Sequence, residues 1–221
     1  MHIIDIINDS QLFAIALANT LKSISNNFTF GKIWQNALEF LMYVKTKNTT
    51  LPDLVLIDYR MPFLLGSHLS YILERDSPEI KKIGISADAE PDWVGEFLAS
   101  ECMSFVDKGV HPRELQTAIE NVLYGRLHTN IYVDEKKIIR HKKSGFLIDL
   151  PFNLTDNEYL YIQLCQSPLT NDAIASALSN GKESLHKKQQ KLFKQFNVKS
   201  RAELVNFAIA KKIIWIFRLV H

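Results

Sequence analysis

The sequence predicts an α/β chain: a doubly wound, five-stranded parallel sheet in the first half, then a small all-α domain of four helices. Short unbroken apolar runs alternate with longer amphipathic segments through residues 1–125, the pattern of strands buried on both faces with helices crossing between them. Beyond about residue 150 such runs give way to helix-capping residues that precede apolar-periodic stretches. Charge divides at the same place. Residues 1–125 hold 10 Lys/Arg against 16 Asp/Glu, a net of −6, and residues 126–221 hold 16 against 8, a net of +8. An acidic half followed by a basic one suggests two domains, the second facing a polyanion such as nucleic acid.

His2–Ile7 is the first strand, and a helix follows from Gln11 to about Ser25, with Leu12, Phe13, Ile15, Ala16, Ala18 and Leu21 on its inner side. Phe28–Phe30 is a weak second strand and Trp34–Lys45 a second helix. Leu54–Ile57, bounded by Pro52-Asp53 before and by Pro62 and Gly66 after, is the third strand, and His68–Arg75 belongs to the third helix. Ile83–Ile85 is the fourth strand, Asp92–Ser100 the fourth helix and Ser104–Val106 the fifth strand. Pro112–Tyr124 closes the series, with Leu115, Ala118, Ile119 and Val122 at helical spacing. Repeated β-α units of this kind take right-handed crossovers, and their ligands collect at the carboxyl ends of the strands. There the sequence places Asn8-Asp9, Asp58, Ser86-Ala87 and Asp107-Lys108. Singly, each has an ordinary use as a cap, a turn or a surface charge. Together they bring carboxylates, a hydroxyl and an ammonium to one sheet edge.

Residues 126–149 read as a linker with the charged clusters Glu135-Lys136-Lys137 and Arg140-His141-Lys142-Lys143, with room for one or two short strands or helical turns. Residues 150–221 form the helical domain. Thr155 and Glu158 make a capping box for a helix running to about Gln166, burying Tyr159 or Leu160, Ile162 and Leu164. Thr170 caps a second helix with Ile174, Ala175 and Leu178, and Asn180-Gly181 makes a turn. The third helix, Lys182–Phe196, holds Leu185, Leu192 and Phe196 on one side and a polar, largely cationic set on the others. A fourth runs from Ala202 to about Lys212. Short helices around a tight turn with a polycationic member describe a helix-turn-helix. Its candidate DNA contacts are Thr170, Asn171, Lys182, Ser184, His186, Lys187, Lys188, Gln190, Lys191 and Lys194. The lysines suit phosphates; His186, Gln189 and Gln190 suit base edges.

Other chemistries find little support. Cys102 and Cys165 are isolated and read as buried thiols in a reducing compartment. The seven histidines show no metal-ligand spacing. The N-terminal apolar run is broken by Asp5 and lacks a basic lead, unlike a signal peptide. The apolar run from Ile213 to Phe217 is too short to span a bilayer and reads as a helical extension packed on its own domain. The expectation is a cytoplasmic chain with no membrane association.

The first 125 residues or so resemble the receiver domain of two-component response regulators. The matching pieces are Asn8-Asp9, Asp58-Tyr59-Arg60-Met61-Pro62 with Gly66, Ile85-Ser86-Ala87, and Phe105-Val106-Asp107-Lys108-Gly109. The resemblance implies a flavodoxin-like fold and Asp58 as acceptor of a phosphoryl group from a sensor histidine kinase. It implies Mg²⁺ held by Asp9, Asp58 and the backbone carbonyl of Arg60, with Ser86 and Lys108 on the phosphoryl oxygens and Phe105 as an aromatic switch. Asn8 departs from the family, which normally has a second acid there, so Mg²⁺ is expected to bind more weakly. Residues 154–210 resemble the LuxR-type DNA-binding domain without gaps, through Leu154-Thr155, Glu158, Leu164, Asn171, Ile174-Ala175, Leu178, Leu192, Phe196-Asn197-Val198 and Arg201-Ala202-Glu203-Leu204-Val205. Ser184-Leu185-His186-Lys187-Lys188 replaces the family's usual Thr-Val-Lys-x-His, and Pro168 stands where Gly is common. The order of the parts is that of the NarL/FixJ group.

Three functions compete at this point. The leading one is a transcription regulator, acting as a homodimer on double-stranded DNA and controlled by phosphorylation of Asp58. The second keeps DNA binding but makes the receiver a phosphorylation-independent dimerisation or protein-interaction module, which Asn8 would suit. The third is a phosphatase or phosphotransferase with Asp58 as nucleophile. Arg60, where aspartate-nucleophile phosphatases carry a second acid, argues against it, and the chain is not expected to be an enzyme.

Overall fold

A computed structural model describes residues 1–24, 27–46, 50–87, 91–129 and 151–214. Two compact units divide the chain and are described separately.

The first unit alternates strand and helix: β1 (His2–Ile7), α1 (Gln11–Ile24), β2 (Phe28–Trp34), α2 (Ala37–Val44), β3 (Leu54–Asp58), α3 (Gly66–Asp76), β4 (Lys81–Ser86), α4 (Pro91–Ala99), β5 (Ser104–Asp107), α5 (Pro112–Leu123) and β6 (His128–Thr129). The sheet order is β2-β1-β3-β4-β5-β6 with every pairing parallel. That is the doubly wound flavodoxin-like arrangement with one strand more than the five expected. The extra strand, β6, lies at the start of the segment read as linker. One sheet face packs Ile4, Ile6, Leu54, Leu56, Ile83, Ile85 and Val106 against α1 and α5. Burying every residue of β3 leaves its exit at the sheet edge as the place where a side chain meets ligand.

The expectation for α1 holds at Ala18 and Leu21 but fails at Leu12, Ile15 and Ala16, and that for the end of β2 fails, each for an identifiable reason. The buried stripe of α1 is Ala14, Leu17, Ala18 and Leu21, whereas Leu12 is 82 % exposed and Ile15 45 % exposed, and Ala16 is also exposed. Both stripes hold apolar residues at helical spacing; the one with two alanines lets the helix approach the sheet closely. Trp34 ends β2 instead of opening a helix, and α2 begins at Ala37 behind the Asn36 cap. Asp5, buried in β1, draws the strand out by accepting from Lys32 N and Trp34 Nε1, both at 2.8 Å. The β1–β2 register shifts at this point.

The second unit contains a short 3₁₀ turn (Pro151–Asn153) and four helices: α6 (Asp156–Leu164), α7 (Asn171–Ala177), α8 (Lys182–Phe196) and α9 (Arg201–Ala210). The capping box between Thr155 and Glu158 is formed in both directions. Every residue of α6 from Glu158 to Leu164 is buried, more than the alternating set expected. Arg201 fixes the turn between α6 and α7. Its guanidinium donates to the carbonyls of Leu164, Cys165, Ser167 and Leu169 at 2.5–3.1 Å, meeting the unpaired carbonyls of a helix end. Cys102 and Cys165 are free, buried thiols. No helix among the described residues is long and apolar enough to cross a membrane. The charged clusters at 135–137 and 140–143 and the apolar residues 215–220 lie outside the described residues.

Candidate functional site

Asp58 ends β3 with its carboxyl all but buried, and Lys108, just past β5, reaches back to it with Nζ 2.9 Å from Oδ2. Backbone pairing sets this up. β4 carries Ser86 to the same level as Asp107, and Lys108 N donates to Ser86 O at 2.8 Å. Tyr59 N donates to Ile85 O at 3.0 Å, holding the exit of β3 to β4. Gly66 closes the loop from below. Its N–H donates to Tyr59 O, and a Cβ there would lie 2.1 Å from the Asp58 carbonyl oxygen.

Burial pushes the Asp58 carboxyl up to about 6, the Asp9 charge adds to the rise, and Lys108 opposes it. Asp9 is also raised, by burial first, with Lys108 again opposing. The two carboxylates therefore share one electrostatic environment with the Lys108 ammonium. Lys108 is held besides by the Phe13 ring, whose centroid lies 4.8 Å from Nζ, a cation–π contact. Asn8 is fully buried beside them and accepts from Ser10 N through Oδ1 at 2.8 Å. Asp9, Asp58 and the Arg60 carbonyl offer hard oxygen donors, the set that suits Mg²⁺, and the repulsion between the two acids is what a dication would relieve. Among the described residues no three His, Cys, Asp or Glu side chains converge as a metal cluster.

Phe105 is fully buried on β5, its centroid 5.7 Å from Phe97 of α4. Gly84 makes room for both rings, since a Cβ there would fall 2.7 Å from Phe105 and 3.0 Å from Phe97. Sequence reasoning missed the next link. Tyr59, directly after Asp58, packs on Phe97 at 5.9 Å, and its hydroxyl donates to Glu96 Oε2 at 3.2 Å. Ser67 at the start of α3 donates to the same oxygen at 2.8 Å. The only sequence signal was Tyr59's place beside the strand end; Glu96 carried none.

On the second unit, Thr170 caps α7 by accepting from Ala173 N at 3.2 Å, and Asn171 opens that helix, both exposed. Leu185, Leu192 and Phe196 anchor α8. Lys182, Ser184, His186, Lys187, Gln190, Lys191 and Lys194 are exposed, with Lys188 half-buried. The lysines are not equivalent. Lys182 pairs with exposed Asp172 at 2.6 Å, and Gln190 Nε2 meets His186 Nε2 at 2.8 Å. Lys191 is tied to Glu158 at 2.6 Å, where the carboxyl also serves Thr155. Burial raises the Glu158 carboxyl, but the Lys191 and Thr155 hydrogen bonds outweigh it and the net shift is downward.

Comparison with known proteins bears out the fold and gives the family. The response regulator receiver domain model matches residues 4–120. The chain is 24 % identical to the glycerol metabolism activator of Pseudomonas putida, over 93 % of this chain and 94 % of that one. It is 23 % identical to the response regulator GacA of Pseudomonas viridiflava, over 72 % of this chain and 74 % of that one. Among solved structures, the RcsB response regulator of Salmonella typhimurium, studied for its interaction with DNA, shares the fold at a TM-score of 0.52 and 15 % identity, covering 95 % of this chain and 98 % of that one. The chain belongs to the response regulator receiver family, and its two parts stand in the order of NarL/FixJ-type response regulators.

Proposed function

We propose that this chain is a transcription regulator switched by phosphorylation of Asp58 and acting on double-stranded DNA through α8. The observation that carries the reading is the buried Asp58 carboxylate held 2.9 Å from Lys108 at the sheet edge of a receiver fold. The donor is a sensor histidine kinase. An Asp58 oxygen attacks phosphorus in line, the P–N bond of the phosphohistidine breaks, and its electron pair leaves on the imidazole, which takes up a proton. Lys108 and the Ser86 hydroxyl face the charge gathering on the phosphoryl oxygens. Asp9, Asp58 and the Arg60 carbonyl would hold Mg²⁺, whose charge neutralises those oxygens when bound.

The path from the pocket runs through Tyr59 to Phe97 and Glu96 of α4 and through Phe97 to Phe105, so a change at Asp58 reaches a helix at the surface. The exposed cations of α8 contact phosphates, and His186 and Gln190 contact base edges. A homodimer places two such helices on paired half-sites. Transfer and hydrolysis of the phosphoryl group are turnover of a switch, not the catalysis of a metabolic enzyme. A kinase partner and DNA place the protein in the cytoplasm.

The test is acetyl phosphate with Mg²⁺, following oligomeric state by light scattering and operator-independent DNA affinity on wild type and Asp58→Asn. A shift to dimer and tighter DNA binding in the wild type alone is expected. The same DNA affinity in both proteins would mean a receiver that works without phosphate.

A further inference from the structure

Asn8 stands where the resemblance leads one to expect an acid, and its side chain is oriented in a definite way. It is fully buried, its N–H donates to Trp34 O at 3.0 Å, and its Oδ1 accepts from Ser10 N at 2.8 Å. Only an oxygen can accept that N–H, so the amide cannot be turned over. Its Nδ2 is buried with no hydrogen-bond partner among the described residues. The β1–β3 register runs from Ile4 with Leu54 to Ile7 with Ile57, and its continuation by one residue sets Asn8 opposite Asp58. A buried unpaired donor costs stability, and one beside an anionic group has its natural partner there when that group changes.

From this we propose that Asn8 is a positioning residue for an anion on Asp58: its Nδ2 donates to an oxygen of the attached phosphoryl group and takes no part in holding the metal. The inference rests on the phosphoacceptor reading of Asp58. An N–H repels a cation, and Oδ1 is committed to Ser10, so Asn8 cannot ligate Mg²⁺ in this orientation. The pocket is left with two acids for the metal and an additional donor for the anion. Occupancy of Asp58 therefore depends less on Mg²⁺ than it would with an acid at this position.

Calorimetry of Mg²⁺ alone, and of beryllofluoride at fixed Mg²⁺, separates these roles on the full chain as wild type, Asn8→Ala and Asn8→Asp. For Asn8→Ala the expectation is Mg²⁺ affinity within about twofold of wild type but beryllofluoride affinity about tenfold lower, the worth of one hydrogen bond to a charged group. For Asn8→Asp, Mg²⁺ should bind about tenfold or more tightly, from a further negative charge at contact range, and beryllofluoride should need more Mg²⁺ to bind. Asn8→Ser, smaller and neutral, stands in if the alanine variant does not fold, and should keep its Mg²⁺ affinity within about twofold of wild type while losing beryllofluoride affinity. Equal beryllofluoride affinity in wild type and Asn8→Ala overturns the proposal, as does an equal loss of Mg²⁺ affinity. No beryllofluoride binding by the wild type overturns the phosphoacceptor reading itself, and the role of Asn8 with it.

Discussion

In the acidic pocket Asp58 is buried and Lys108 half-buried, and the two meet at contact distance, whereas most of the charges of α8 stand in solvent along a helix. Asp58 is almost inaccessible and its carboxyl is raised to about 6; Lys182 and Lys191 are 74 % and 60 % exposed. The first region does its work through few contacts, each dependent on geometry and each costly to alter. The second works through the number of cations, each worth little and all weakened by salt. Substitutions should therefore have large, local effects in the pocket and small, cumulative effects on α8.

The largest effect expected is at Asp58 itself. Asp58→Asn should abolish incorporation of a phosphoryl group from acetyl phosphate, read by intact mass; incorporation that persists would place the acceptor elsewhere. Gly66→Ala tests the geometry around that residue without touching a charge. Its Cβ would sit 2.1 Å from the Asp58 carbonyl oxygen and 2.9 Å from Ile57, and backbone cannot yield as a side chain tip can. A loss of about 3 kcal/mol or more in urea denaturation is expected. An unchanged midpoint would mean that the loop is much looser than its contacts indicate.

A titration sharpens the comparison further. The folded Asp58 carboxyl lies near 6 against an ordinary 3.8, so the folded state binds its proton more tightly than the unfolded chain does. The stability this confers is fully present below about pH 4 and is lost as pH rises through about 6. A shift of about two units corresponds to about 3 kcal/mol at most. The stability of Asp58→Asn relative to wild type should thus improve by about 2–3 kcal/mol between about pH 4 and about pH 7.5. A difference that stays flat would mean a well-hydrated carboxylate.

On α8 the effects are smaller and divide by residue. Lys187→Gln and Lys194→Gln should each reduce the salt dependence of DNA binding by about one counterion while leaving the melting temperature unchanged. Lys191→Gln should behave differently, because its ammonium is held by Glu158. It should cost about 0.5–1 kcal/mol of stability, discounted for the exposure of the lysine, and change the salt slope less. Equal slopes for all three would return Lys191 to the phosphate-contacting set.

Much of the pocket was readable in advance because its signals are local. An apolar run followed by a carboxylate, a hydroxyl or a lysine marks a strand end whatever the rest of the chain does. Asp58, Ser86 and Lys108 were each found that way, and the topology put them at one sheet edge; the direct contact of Lys108 with Asp58 is a finding of the structure. Glu96 was missed because its two hydrogen bonds come from Tyr59 and Ser67, distant in sequence and unremarkable in pattern. Phe13 was placed on the inner side of α1, but its contact with Lys108 had no signature at all.

The sequence by itself determined the alternation of strands and helices, the residue types at the strand ends, the capping box at Thr155 and Glu158, and the basic character of α8. All of these depend on neighbours within one helical turn or one strand. Only the tertiary structure decided which apolar stripe of α1 is buried, since Leu12 and Ile15 fit a helix as well as Ala14 and Leu17 do. It also decided that Asp5 would carry β2 as far as Trp34 and that Lys191 would belong to Glu158. Each of these outcomes is settled by a partner brought close by the fold, and a partner of that kind leaves no periodicity in the chain.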